Sequence, residues 1–131
     1  MTDTTQLTFE EIQQYRKQLK DNPQAIAQLD IIEKCGGNLE QATRVLARRA
    51  GFEEVRAGMN WETTLNKARE VVCDDDFKDG LAPDLISGIV AALITAGDPL
   101  LVAVSTPCAS HIVKKSLTKF CDQRQLESQD E

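Results

Sequence analysis

The sequence predicts an all-α protein, and three observations carry that prediction. Cap and stop residues recur at helix-length intervals: Thr8, Asn22 with Pro23, Gly36–Gly37–Asn38, Gly51, and Gly97–Asp98–Pro99. Between them the apolar residues fall three and four apart, the period of an amphipathic helix and not the alternation of a strand. The β-friendly runs VVC and LLVAVS are short, and each lies within a stretch bounded by helix caps. At 131 residues, 41% hydrophobic and 27% charged, the chain has the composition of a globular domain able to bury its own core.

Residues 1–7 are polar and expected to fray, as is the tail 122–131, DQRQLESQDE. Thr8 followed by Glu11 is a capping box, and Phe9, Ile12, Tyr15 and Leu19 follow on one stripe. Asn22 and Pro23 cap and start a second helix reaching about Cys35, with Ile26, Leu29 and Ile32 on its inner face. Gly36 or Gly37 stops it in the left-handed conformation. Asn38 caps a third helix, 39–50, with Leu39, Ala42, Val45 and Leu46 inward and Arg44, Arg48 and Arg49 outward. Asn60 is expected to cap a fourth, whose Trp61, Leu65, Ala68 and Val72 share a face.

From Pro83 the character changes. LISGIVAALITAG is apolar nearly all round, which marks a buried helix. Asp98 and Pro99 open LLVAVSTPCASHIVKKSLTKFC, and Pro107 must kink or split that helix. Beyond it Ile112, Val113, Leu117 and Phe120 form a stripe, with Lys114, Lys115 and Lys119 toward water. The organisation expected is a three-helix unit at 8–50 and a second helical unit at 60–121, the two able to pack as one domain.

Residues 85–104 form a twenty-residue window with one charge, long enough to span a bilayer. Gly97–Asp98–Pro99 divides it into two halves too short to cross, so a buried helical hairpin is the expectation. Two other uses stay open: shallow insertion of the 85–104 hairpin into lipid, and a homodimer through the apolar region 85–113.

The net charge of −6 lacks the basic footprint of a nucleic-acid binder. The four cysteines form no C-x-x-C pair and the N-terminal MTDTTQLTF is no secretory leader, so free thiols in the cytoplasm are expected. The acidic run Asp74, Asp75, Asp76, Asp79 fails a calcium-loop register. With Gly80 at position six, position three is Phe77 and position twelve is Ile86, where a glutamate is required. Cys108 and His111 stand three apart, a spacing that can share a metal or form a thiol–imidazole pair, but two close ligand pairs are absent. No nucleotide, P-loop or zincin motif is present, and no cofactor is called for.

The stretch AIAQLDIIEKCGGNLEQATRVLARRAG carries the one resemblance. A helix ending in Gly-Gly-Asn, then Leu39-Glu40-x-Ala42-x-x-x-Leu46, resembles the second loop and third helix of the ubiquitin-associated (UBA-like) fold, over residues 8–50. The resemblance implies a small helical bundle that holds partners and does not transform substrates. Between the first two helices the chain has Lys20, Asp21, Asn22 and Pro23, where ubiquitin-binding members usually carry a Met-Gly-Phe-like loop. Ubiquitin binding is therefore not implied. The function expected is a non-catalytic protein–protein interaction or adaptor role, with Arg44, Arg48 and Phe52 as the contact surface for an acidic protein partner. The alternatives are membrane association through 85–104 and a thiol or metal site at Cys108 and His111.

Overall fold

Residues 5–51, 61–73, 86–115 and 119–121 are described by the computed structural model. Within them lie α1 (Phe9–Gln18), α2 (Pro23–Lys34), α3 (Leu39–Arg49), α4 (Trp61–Val72), α5 (Ile86–Thr95), α6 (Pro99–Ala103) and α7 (Ser105–Lys115), and residues 119–121 are also helical. The protein is all-α; among the described residues the one β-type pairing is an isolated antiparallel bridge between Gln6 and Asn38. Phe52, Asn60, the acidic run 74–80, Pro83, Leu117 and the tail 122–131 lie outside the described residues.

The caps form as their chemistry requires. The Thr8 hydroxyl accepts from the Glu11 amide at 3.1 Å, and the Glu11 carboxylate accepts from the Thr8 amide at 2.8 Å. Asn22 Oδ1 accepts from the Ala25 amide, Asn38 Oδ1 from Gln41, and Asp98 Oδ1 from Leu100, at 3.1, 2.9 and 2.9 Å. Four orphan helix donors, the amides of Glu11, Ala25, Gln41 and Leu100, thus find side-chain partners within three residues.

The first stripe differs from expectation. Phe9 is 70% exposed, and its inward place is taken by Leu7 at 2%. Residues 5–7 do not fray: the Leu7 amide donates to the Gly37 carbonyl and the Leu39 amide to the Thr5 carbonyl, each at 2.8 Å. The segment lies across the α2–α3 corner and carries Leu7 into the core. One hydrophobic cluster then runs from Leu7 to Cys121, joining both expected units.

The central element is α7, which packs against α2, α3, α4, α5 and α6. All eight residues from Ser105 to Ile112 are buried, whereas α5 keeps Ser87, Ala91 and Thr95 exposed along one edge. The helix buried all round is therefore the more polar one. Small side chains (Ser, Thr, Ala and Cys) let neighbouring backbones approach, which apolarity alone does not reveal. The Thr106 and Ser110 hydroxyls are buried there with no hydrogen-bond partner among the described residues. The chain breaks at Val104, three residues before Pro107, which takes the third position of α7. There its missing amide has no intrahelical acceptor to lose.

Lys114 was expected to face water. Its side chain is only 12% exposed, and the ammonium donates to the Gln6 carbonyl and, at 3.1 Å, to Glu11 Oε1. Burial disfavours charge on Glu11, but the Thr8 amide and the Lys114 ammonium outweigh it and hold the carboxyl below its ordinary value. A carboxyl lowered on folding contributes stability above its unfolded value, and that stability is lost as the pH falls through the folded value. Lys114→Met is expected to cost about 1 kcal/mol at neutral pH. Denaturant titrations should show the deficit shrinking as the pH falls below the ordinary carboxylate range; a deficit independent of pH would mean the ion pair contributes nothing.

Candidate functional site

The outer face of α3 carries two of the three expected contact residues. Glycine termination of α2 and the Asn38 cap set the start of α3, and Leu39, Ala42, Thr43 and Ala47 bury its inner side. That orientation turns Arg44, Arg48 and Arg49 outward, all exposed. Val45 was expected inward; it is half-buried, as is Leu46. Val45 lies with Asn38, Glu40, Gln41, Arg44 and Arg48 along an open groove of about 350 Å³. The third expected residue, Phe52, falls outside the described residues.

The groove is polar with one apolar floor residue. Arg44 and Arg48 are one helical turn apart and present two planar guanidinium forks to the same space. Glu40 closes one end, with a carboxylate oxygen 3.5 Å from the Arg44 guanidinium. Both side chains of that pair are about half exposed, at 58% and 45%, so the pair is weak and an incoming carboxylate can compete for Arg44. This arrangement suits recognition of carboxylates, with Val45 available to a small apolar side chain.

Cys108 and His111 are in a different setting. Both are buried on α7, and the His111 ring stands edge-on between Trp61, 5.4 Å away, and Phe120, 6.0 Å away. Burial pushes the Cys108 thiol up to about 12, opposite to the shift a nucleophilic thiolate needs. Among the described residues no group of three or more His, Cys, Asp or Glu side chains could hold a metal ion.

Two cysteines are not free thiols. Cys73 and Cys121 are joined by a disulfide with Cα atoms 5.6 Å apart, closing a separation of 48 residues; Cys35 and Cys108 remain free. Arg69 was also missed by the sequence reading. It lies one position beyond the apolar Ala68 yet is 2% exposed, its guanidinium 4.6 Å above the Phe120 ring. Its Nε donates to the Phe120 carbonyl at 3.3 Å and Nη1 to Asn66 Oδ1 at 2.5 Å. An arginine at that register gives no sign of burial, because its partner is 51 residues away.

The apolar hairpin turns inward. Ile86, Ile89, Val90, Leu93, Leu100 and Leu101 are all at most 3% exposed. These large apolar side chains are thus covered by the chain's own helices, as expected of a buried hairpin. No helix among the described residues is long and apolar enough to cross a membrane. No protein-family model, curated protein or solved structure matches this chain.

Proposed function

We propose that the chain is a non-catalytic, cytoplasmic adaptor whose first three helices form a UBA-like module, and that it binds an acidic protein segment through the outer face of α3. The observation that supports this reading is the groove itself: Arg44 and Arg48 one turn apart, with Gln41 and Asn38 as further polar contacts and Val45 between them. On a chain of net charge −6 this face is a local cationic patch, which favours the approach of an acidic partner.

The test is double charge reversal. Arg44→Glu with Arg48→Glu is expected to weaken capture of acidic partners from native lysate by at least about tenfold. Both side chains are exposed, so the fold should be kept and the thermal melt should fall by only a few degrees, from the lost Glu40–Arg44 pair and the new like charges on α3. Wild-type binding should weaken as salt rises through the physiological range. An unchanged partner profile would remove Arg44 and Arg48 from the site.

A further inference from the structure

The Cys73–Cys121 bond sits at a place where its loss has a specific consequence. Cys73 immediately follows α4, its amide bonded to the Arg69 carbonyl at 2.9 Å. Cys121 ends the helical segment 119–121, whose Phe120 is fully buried between His111 and the Arg69 guanidinium. Its described contacts include the Arg69 guanidinium of α4, the His111 ring of α7 and the bond to Cys73.

The non-covalent part of that hold is a balance of opposed effects. Burial of the Phe120 ring and its contact with the Arg69 guanidinium, 4.6 Å from the ring centroid, favour docking. Docking also keeps the Arg69 guanidinium at 2% exposure with Asn66 and the Phe120 carbonyl as its described hydrogen-bond partners, neither of them an anion. Burying a cation without a counter-anion opposes docking, and departure of the segment would return that charge to water. Such a balance is decided by the covalent bond, which holds Phe120 at its slot whatever the net sign of the other terms. Cys108 cannot rearrange with it readily: it is fully buried and its thiol is held protonated.

We propose that this disulfide is a redox-operated latch on the 119–121 segment. A dithiol reductant opens it by thiol–disulfide exchange. Its thiolate attacks Sγ of Cys73, the less buried of the pair, and Cys121 leaves as a thiolate that takes up a proton. The reductant's second thiol then displaces Cys73, so the reductant leaves as a disulfide and the protein gains two electrons and two protons. Opened, the segment leaves its slot and uncovers Arg69 and the face of His111 opposite Trp61, so that Trp61 loses the shielding behind its ring partner. A disulfide oxidant closes it by the reverse exchange and leaves as a dithiol or two thiols, carrying off the two electrons and two protons. A disulfide in a reducing compartment is more often of this transient kind than structural.

The experiment compares oxidised protein with protein in dithiothreitol. Hydrogen exchange is followed in a peptide containing residues 119–121 and in α2, together with emission from Trp61, the sole tryptophan. Exchange at 119–121 should rise at least about tenfold and Trp61 emission move to the red, with Ala25, Leu29 and Ile32 as protected as before. Glutathione disulfide should reverse the change. Cys73→Ser, purified without reductant, should be open and indifferent to dithiothreitol. Unchanged exchange at 119–121 overturns the proposal, as does a closed serine variant. Loss of protection in α2 together with 119–121 also overturns it, because the bond would then be a staple for the whole fold.

Discussion

Replacing Gln28 with leucine is expected to destabilise the protein by about 3 kcal/mol, although leucine fills the space and the position lies on the buried side of an apolar helix. Gln28 is 3% exposed. Its Oε1 accepts from the Thr106 amide at 2.8 Å, and its Nε2 donates to the Val102 carbonyl at 3.1 Å. The break between α6 and α7 lies inside the core, and Val104, which precedes α7, has no side-chain acceptor with which to cap it. Gln28 therefore caps α7 from another helix, and takes up a carbonyl from the end of α6 with its other hand. Leucine leaves both groups without that partner, at about 1–3 kcal/mol each. The melting temperature should fall by roughly 10 °C. Gln24 reaches the same Val102 carbonyl at 3.4 Å but is exposed, so Gln24→Ala should stay within about 0.5 kcal/mol of wild type. Equal effects at the two positions would show that the tertiary cap contributes little.

This contrast also marks how far the sequence could be read. Thr8, Asn22, Asn38 and Asp98 were legible because a cap acts on an amide two or three residues away, and sequence spacing is spatial spacing over that range. The outward placement of Arg44 and Arg48 was legible for the same reason: helical period alone turns them away from Leu39 and Ala42. Gln28, Arg69, Lys114 and the Cys73–Cys121 pair were not, since each acts across 48 or more residues and nothing local announces the partner. In the apolar run 85–104 the division at Gly97–Asp98–Pro99 was legible, but the second helix breaks at Val104 and not at Pro107, and the deepest helix is α7, whose serines, threonine and histidine mask its position on any hydropathy scale. Leu7 was lost in a polar segment because a single apolar residue has no period.

Gly37→Ala is expected to cost about 3–4 kcal/mol, and Gly36→Ala, one residue away, about 1 kcal/mol. Both glycines are left-handed, at φ 87° and 68°. Together they close α2 in a Schellman motif: the Gly37 amide donates to the Ile32 carbonyl at 2.9 Å and the Gly36 amide to Glu33 at 3.0 Å. Left-handed strain of about 1–2 kcal/mol therefore applies to alanine at either site. What separates them is the N-terminal segment. A Cβ on Gly36 would meet nothing within 4 Å, whereas one on Gly37 would press far inside contact distance of the Leu7 carbonyl oxygen and lie 2.8 Å from Gln6 Nε2. Backbone cannot yield as a flexible side chain would, so residues 5–7 must lift away. With them go the two bridge hydrogen bonds and the burial of Leu7, the latter worth about 2 kcal/mol. A double-mutant cycle isolates this cause. Leu7→Ala should be costly in wild type and nearly neutral on the Gly37→Ala background, because the displaced segment no longer buries Leu7. Additive costs, or equal losses at positions 36 and 37, would place the requirement for glycine in the helix stop alone and not in the crossing of the chain above it.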